Sequence, residues 1–381
     1  GLPVAWQGAM GLAIPLAAKN GEFVPSELPK EQREFFFNSV IVTQDNAQDW
    51  MDNNIKGLPT MDYTDLWGNV GAPMGETSAV PEEAPEAAEV WLGNSIRSLS
   101  NPYHAQWNAA GEKFAQDTGM ADTYQVLLSE GDNTKQLDDI KALIAKSGGD
   151  VVFNVDPNEA SNAVPIADIL EEAGVYWMSH WNKPADLHPW DYEYWVAHTA
   201  ADDVTESYNM AKLMFDEIGG EGTAVHIQGM LGNTAAQGRE EGFRQAVEEY
   251  PGIEVLEIQG GTWDQIMAQE LVEAWLAKYD QIDVIHTAGD PHALGAVAAL
   301  KAVRPDLVGT VLISGFNGDE PTTQAIIDGE VFTTAGLPVA WQGAMGLAIP
   351  LAAKNGEFVP SELPKEQREF FFNSVIVTQD N

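Results

Sequence analysis

The sequence contains no cysteine and few cations, and each of these absences removes a class of function. With zero cysteines in 381 residues, thiol catalysis, disulfide bonds and cysteine-based metal sites are excluded. Lysine and arginine number 19 against 58 aspartates and glutamates, and the formal net charge of −39 would repel nucleic acids and anionic membrane surfaces. We therefore expect either an ordinary soluble acidic surface or an exported protein that its carboxylates keep hydrated in a salty medium.

Long apolar runs and the common catalytic and metal motifs are also missing. No run approaches the roughly 18 apolar residues of a membrane span, and no secretory signal peptide is recognisable, although a signal removed on export would leave no trace. The histidines form neither HExxH nor an i, i+4 pair, and no complete calcium loop occurs. Because no nucleophile, acid and base stand at a defined spacing either, we expect no catalytic residues, no metal site and no cofactor.

An exact repetition joins the two ends of the sequence. Residues 336–381 duplicate residues 1–46 letter for letter, at an offset of 335 residues. Natural repeats are degenerate and recur several times with periods of about 20–50 residues. We interpret the chain as a 335-residue unit that is circularly permuted, with its natural ends meeting near Pro73–Met74 and one terminal segment present twice. An artefact of sequence assembly is the alternative.

The remaining sequence predicts an α/β fold. Residues 47–89 form a tail and linker between the natural ends, rich in Glu, Ala and Pro from residue 76 onward. From Val90 short apolar strands alternate with amphipathic helices in two sets that divide near Ala200, which indicates βαβ units and two doubly wound lobes. A unit of this length exceeds one hydrophobic core. In such sheets ligands bind at the carboxyl ends of the strands, so the loops there are where binding residues are expected.

These loops carry a series of short motifs whose order and spacing are specific together although none is specific alone. The motifs are Leu99–His104, Gly131–Gln136, Gly232–Phe243, Gly289–Ala296, Gly315–Gly318, Ile327–Glu330 and Thr334–Pro338. From about Val90 to Asn381 the chain therefore resembles the solute-binding proteins of bacterial ABC sugar importers, of the ribose- and galactose-binding type. The resemblance implies a type I periplasmic binding fold, with two Rossmann-like lobes, a three-crossing hinge and a ligand cleft between the lobes.

The same resemblance implies how the chain is divided. Residues 90–199 plus 337–363 would form the first lobe, and residues 200–336 plus 371–381 the second, with a last strand at Phe371–Thr378. Only one copy of the duplicated segment can fill its place in this fold, and the sequence does not say which. The other copy would hang free, pack elsewhere or complete a neighbouring molecule, which allows self-association through the duplicated segment.

The resemblance also implies the ligand-binding positions. Carried over loop by loop they are Asn101, Tyr103, His104, His180, Trp181, Gln237, Trp263, Gly289, Asp290 and Asn317. Aromatic rings complement the C–H face of a sugar, and amides can bond to neighbouring hydroxyls. Where the family has charged groups, this sequence has His180, Trp181, Gln237 and Asn317, while Arg239 matches an arginine that is more often structural. We therefore expect an aromatic, more neutral cleft.

The function expected from this pattern is reversible binding of a small neutral sugar, polyol, deoxysugar or cyclitol by hinge closure. The implied partner is the permease of an ABC importer, and the implied location is the periplasm or the outside of the cell. Two alternatives stay open. One is an engineered or self-assembling scaffold or sensor in which the duplicated segment drives switching or swapping. The other is the effector-binding domain of a transcription regulator, which predicts a helix-turn-helix and a basic patch that the sequence lacks.

Overall fold

The computed structural model describes residues 90–372 and 374–378, and all structural statements below concern these residues. The strands are β1 (Trp91–Ile96), β2 (Tyr124–Leu128), β3 (Val151–Val155), β4 (Trp177–His180), β5 (Trp195–Ala201), β6 (Glu221–Gln228), β7 (Gly252–Gly260), β8 (Val284–Thr287), β9 (Leu312–Ile313), β10 (Thr333–Gly336), β11 (Glu369–Phe372) and β12 (Val375–Thr378). The α-helices are α1 (Pro102–Asp117), α2 (Asn133–Ser147), α3 (Ala163–Ala173), α4 (Asp203–Glu217), α5 (Thr234–Glu249), α6 (Gln265–Lys278), α7 (Asp290–Val303), α8 (Glu320–Ile327), α9 (Val339–Lys354) and α10 (Lys365–Arg368).

The first lobe is built on a parallel sheet with the strand order β2-β1-β3-β4-β5-β11. Alternate residues of β3 belong to different cores, because successive side chains of a strand point to opposite faces. Val152 packs with Phe114 of α1 and with α9 on one face, whereas Phe153 packs with Leu143 of α2 and with α3 on the other. Both faces are therefore covered by helices, as a doubly wound sheet requires.

The second lobe repeats this arrangement around a parallel sheet with the order β7-β6-β8-β9. The antiparallel pair β10 and β12 adjoins this sheet through bridges from Ser314 to Thr333 and from Asn317 to Gly336. The chain passes between the lobes after β5, after β10, and between β11 and β12. The expected α/β fold with two doubly wound lobes and a three-crossing hinge is therefore confirmed.

The end of the described chain differs from the sequence-based expectation of one strand at Phe371–Thr378. The structure has two strands here: β11 pairs with β5 in the first lobe, and β12 pairs with β10 in the second. In the sequence the polar residues Asn373 and Ser374 interrupt the apolar run, and the change from one sheet to the other falls at this break. The third hinge crossing therefore divides what looked like a single strand.

The second copy of the duplicated segment supplies α9, β11 and β12. All but two of the 16 residues of α9 are buried. A side chain at Gly343 would collide with the carbonyl oxygen of Trp107, and one at Gly346 with the amide of Asn154, so α9 packs directly on α1 and β3. Residues 1–46 and the predicted tail and linker at residues 47–89 lie outside the described residues.

Two histidines lie side by side inside the second lobe. His226 on β6 and His286 on β8 are fully buried, their Nδ1 atoms are 2.9 Å apart, and both rings pack against Phe243. Burial lowers the pKa of His286 to about 3 and holds the pKa of His226 well below its usual value. Both rings are therefore neutral in the folded protein at pH 7.

We expect this pair to make the protein sensitive to acid. Below pH 6.5 these histidines bind protons in the unfolded chain but not in the folded protein. Each histidine can therefore lower the free energy of unfolding by up to about 1.4 kcal/mol per pH unit. Burial also raises the pKa of Asp203 and Asp290 to about 6, and these folded carboxyls take up protons and offset part of the loss. Urea unfolding at pH 7 and pH 5 measures the net decline. His286→Gln should make the decline shallower, and an unchanged slope would contradict the explanation.

Candidate functional site

A cleft lies between the two lobes, where the strands of both sheets end. The space between its side chains measures about 450 Å³, counting the part that is open to solvent. Its lining from the first lobe is Arg97, Asn101, Tyr103, His104, Asp156, Trp181 and Asn182, and from the second lobe Asn233, Ala235, Arg239, Trp263, Pro291 and Asn317. Aromatic, amide and charged side chains thus reach the same space from both sides.

The first-lobe wall is built around two aromatic residues. Asn101 begins α1, and its Oδ1 accepts a hydrogen bond from the backbone N–H of Tyr103 at 3.0 Å, which fixes the start of the helix. Trp181 follows β4 with a left-handed φ of 63°, a conformation that costs a non-glycine residue energy. Its indole Nε1 donates to the Tyr103 hydroxyl at 2.7 Å, and the two rings meet edge to face. This wall is therefore held by defined contacts.

Polar groups with unused hydrogen-bonding capacity stand beside these rings. The Asp156 carboxylate accepts from His104 Nε2 at 3.0 Å and from Asn182 Nδ2 at 3.2 Å. The other ring nitrogen of His104, Nδ1, and the Nε of Arg97 are buried and have no hydrogen-bond partner among the described residues. Buried polar atoms are seldom left without a partner. Their position in the cleft lining makes them candidates for contacts with a ligand.

Arg239 is the central cation of the second-lobe wall. Its Nε donates to Asp203 Oδ1 at 2.8 Å, its Nη1 donates to the carbonyl oxygen of Ala288 at 2.6 Å, and its guanidinium lies 3.6 Å from the centre of the Phe316 ring. Burial raises the pKa of Asp203 to about 6, and the positive charge of Arg239 opposes this rise. The arginine is thus fixed by a buried carboxylate and a carbonyl while it borders the cleft near Trp181.

Trp263 and Asn317 complete the second-lobe wall. The Trp263 ring stacks on His292 with an interplanar angle of 7°, and a side chain at Gly229 would collide with it, so glycine allows the close approach. Asn317 has a φ of 146°, in the region that favours glycine, and its Nδ2 donates to Asp319 at 3.3 Å. Each lobe thus contributes one non-glycine residue with a positive φ to the cleft: Trp181 from the first lobe and Asn317 from the second.

The structure brings six of the expected site residues into the cleft and places four outside its lining. Those in the lining are Asn101, Tyr103, His104, Trp181, Trp263 and Asn317. His180 is the last residue of β4 and is fully buried, with its ring 4.6 Å from that of Trp107. Gln237 is exposed and donates to the carbonyl oxygen of Leu231.

Gly289 and Asp290 lie behind the second-lobe wall. A Cβ atom at Gly289 would be 3.3 Å from the Trp263 ring, so this residue backs the aromatic side chain. Asp290 is buried and accepts from Thr334 Oγ1 and from the backbone N–H of Asp319, each at 2.7 Å. These contacts join the start of α7 to the loop that carries Asn317, so Asp290 supports the cleft wall from behind.

The cleft also contains residues that the sequence analysis did not select, and they change its expected charge. Arg97, Asp156, Asn182 and Asn233 are not among the expected site residues, and Arg239 matches an arginine that is more often structural. The signal for three of them was available, because Arg97, Asp156 and Asn182 each stand within two residues of the carboxyl end of β1, β3 or β4. The cleft is therefore less neutral than expected, because its charged groups stand at positions other than the ten expected ligand-binding positions.

The lobes touch each other at the mouth of the cleft. One loop of the second lobe, residues 230–234, makes these contacts: Arg97 Nη1 donates to the sulfur of Met230, and the backbone N–H of Ala160 donates to the carbonyl oxygen of Gly232 at 3.1 Å. The backbone N–H of Thr234 donates to Asn182 Oδ1 at 3.0 Å. The arrangement of the lobes is therefore a closed one.

Two further features concern the described residues as a whole. Within residues 90–372 and 374–378 no group of three or more His, Asp or Glu side chains is arranged to hold a metal ion. The helices of this part of the chain are also too short or too polar to span a bilayer.

Comparison with known proteins assigns the family. The periplasmic binding protein domain matches residues 92–357, most of the chain. The chain belongs to this family. The resemblance found in the sequence is thereby confirmed, whereas circular permutation stays a prediction.

Several known proteins are similar to this chain over about nine tenths of their own length. The crystal structure of a twin-arginine translocation pathway signal protein from Burkholderia phytofirmans is 36% identical, covers 77% of this chain and 90% of its own, and has a TM-score of 0.74. A ribose import binding protein, RbsB of Haemophilus influenzae, is 25% identical over 73% of this chain and 90% of its own. The D-allose-binding periplasmic protein of Escherichia coli is 26% identical, with coverages of 74% and 90%.

Proposed function

We propose that this periplasmic binding protein binds a small sugar or polyol-like solute reversibly and delivers it to an ABC importer. The observation that carries the proposal is the convergence of aromatic, amide and charged side chains from both lobes on one cleft, at whose mouth the lobes touch. Because an open form would separate the two sets of side chains, the ligand gains all its contacts only in the closed form. Binding and closure are therefore coupled, and no catalytic step is needed.

The chemistry of the cleft favours a neutral ligand with many hydroxyl groups. Asn101 and Asn233 each use Oδ1 to cap a helix, and Asn317 donates from Nδ2 to Asp319. The Nδ2 groups of Asn101 and Asn233 and the Oδ1 of Asn317 are therefore the amide donors and acceptor that suit neighbouring hydroxyls. The charges nearly cancel, since Arg239 is paired with Asp203 and the carboxylate of Asp156 offsets Arg97. Relatives named for ribose and allose support a sugar as the ligand.

The remaining parts of the proposal concern location, partner and chain organisation. We propose a periplasmic or exported protein that docks on an ABC permease, as the names of the ribose import and periplasmic allose-binding relatives suggest. The lobe ranges 90–199 plus 337–363 and 200–336 plus 371–381 stay predictions, except that residues 371–372 belong to β11, which pairs with β5 of the first lobe. Self-association through the duplicated segment also stays a prediction. The family favours transport over the regulator and scaffold alternatives.

A thermal-shift screen against neutral sugars, polyols, cyclitols and deoxysugars tests the proposal. A ligand present at about 100 times its dissociation constant adds roughly 2.7 kcal/mol to the free energy of unfolding. Tryptophan emission followed in parallel should change with the same ligand, because Trp181 and Trp263 line the cleft. A cooperative melt that no member of the panel shifts would contradict the proposal.

Trp263→Ala should weaken ligand binding by about tenfold to a hundredfold, because buried aromatic contacts dominate binding energies. Trp190→Ala is the matched control, since this tryptophan lies outside the cleft lining and stacks on His188 instead. Isothermal titration of both variants measures the difference. Equal affinities for the two variants would remove Trp263 from the binding site.

A further inference from the structure

A buried residue of α9 is connected to the aromatic wall of the cleft although it does not line it. Gln342 is fully buried, and its Oε1 accepts a hydrogen bond from the Tyr103 hydroxyl at 2.8 Å. The same hydroxyl accepts from Trp181 Nε1 at 2.7 Å. The three side chains thus form one chain of hydrogen bonds that runs from the cleft into the first-lobe core.

The chemistry of the three groups fixes the direction of every bond. An indole N–H can only donate, so the oxygen of Tyr103 must accept from Trp181. The hydroxyl proton of Tyr103 is then left for the Oε1 of Gln342, which can only accept. Burial also raises the pKa of Tyr103 well above its usual value, so the phenol keeps this proton. No rotation of the hydroxyl satisfies all three groups in another way.

The opposite end of the Gln342 side chain is constrained as well. Its Nε2 lies 3.5 Å from Nδ1 of His180, and burial lowers the pKa of that histidine to about 3, so the ring is neutral and can accept. The backbone carbonyl of Gln342 accepts from Asn154 Nδ2 at 2.9 Å, which ties α9 to β3. With the amide oxygen facing Tyr103, the amide nitrogen faces His180, whose Nδ1 accepts in the tautomer that carries the proton on Nε2.

From this network we infer that Gln342 is a positioning residue that decides which face of a ligand the first-lobe wall accepts. Because the donors of Tyr103 and Trp181 are used inside the protein, both side chains offer ring surface instead of N–H or O–H groups to the cleft. Ring surface suits the apolar C–H face of a cyclic sugar or cyclitol, and suits an open-chain polyol less. The inference rests on the proposed sugar-binding function and adds a ligand class to it.

The position of Trp181 can be measured without any ligand, through its indole N–H resonance in the NMR spectrum. The resonance is assigned by its absence from Trp181→Phe. In Gln342→Met the hydroxyl of Tyr103 loses its acceptor and is free to turn, so the Trp181 resonance should shift and exchange faster with solvent. In Gln342→Glu an acceptor oxygen is retained, so the resonance should stay near its original place even if the buried charge lowers stability.

Three outcomes overturn the inference. The first is a Trp181 resonance that does not move in Gln342→Met. The second is a larger movement in Gln342→Glu than in Gln342→Met, which is the order expected from general destabilisation. The third is a shift of the Trp181 resonance in Gln7→Met that equals the shift in Gln342→Met. Gln7 is the same residue in the first copy of the duplicated segment. This control should leave the resonance in place, because Gln342 makes the described contacts.

Binding then tests the ligand class. The ratio of affinities for a cyclic sugar or cyclitol over an open-chain polyol should fall about tenfold in Gln342→Met, the effect of losing one buried hydrogen bond. An unchanged ratio contradicts the specificity role. If the wild-type chain binds no sugar at all, the proposed function fails, while the Trp181 resonance still decides whether Gln342 positions the wall.

Discussion

Replacing Trp341 by alanine should lower the free energy of unfolding by about 3–5 kcal/mol, the usual cost of removing a large side chain from a packed core. Trp341 is 1% exposed, lies on α9 among the first-lobe core residues, and meets the ring of Phe370 edge to face. Because α9 packs against α1 without room for adjustment at Gly343, the cavity cannot collapse easily. We expect the loss to fall in the upper part of the range.

The duplicated segment supplies a control of identical chemistry. Trp6 is the same residue in the first copy, and its replacement by alanine leaves every contact described for α9 in place. Urea unfolding should therefore show no loss of stability in Trp6→Ala and a large loss in Trp341→Ala. The double variant should lose as much free energy of unfolding as Trp341→Ala alone. Equal losses from the two single variants would mean that both copies occupy the same place in the fold, which is the exchange expected of a switching or swapping protein.

The sequence predicts the framework of this fold because the local pattern of each strand and helix agrees with the packing of that element in the structure. The run Val151–Val155 forms β3, in keeping with the predicted alternation of short strands and helices, because five apolar or neutral residues flanked by turn residues fit a strand buried between two helical layers. Asn101 and Tyr103, from the motif Leu99–His104, and Trp263, from the loop after β7, reach the cleft for a similar reason. They follow parallel strands, and the carboxyl ends of such strands meet at the cleft.

The sequence predicts the cleft lining less well where the rotation of a helix determines which side chain faces the cleft. Gln237 and Arg239 are two residues apart on α5, so they project about 200° apart around the helix axis, and only one of them can face the cleft. The structure turns Arg239 inward against Asp203 and leaves Gln237 exposed. The partner that fixes this choice, Asp203, stands on α4, and no local pattern links the two helices. This choice of helix face explains the unexpected charge of Arg239 in the cleft, whereas Arg97 and Asp156 enter from the ends of β1 and β3.

The last prediction concerns this buried pair. Arg239→Met should cost about 3–5 kcal/mol of stability, because it leaves the Asp203 carboxylate buried without its cation. Both side chains are nearly inaccessible, at 4% and 10% exposure. Arg244→Met is the matched control: it lies on the same helix, is 53% exposed, and pairs with Glu240 at the surface, so its loss should be under about 1 kcal/mol.

The cost of Arg239→Met should grow with pH, and this dependence separates the lost charge from lost packing. Burial already raises the pKa of Asp203 to about 6 against the pull of Arg239, so without the arginine the pKa rises further. A carboxyl with a raised folded pKa stabilises the fold while it is protonated and loses that stability as pH rises through the folded pKa. The variant should therefore be weakened more at pH 8 than at pH 6, and Asp203→Asn in the same background should remove the difference. A loss of stability that is equal at both pH values would mean that Arg239 acts through its stacking on Phe316 alone. Packing, and not the ion pair with Asp203, would then hold the arginine at the cleft.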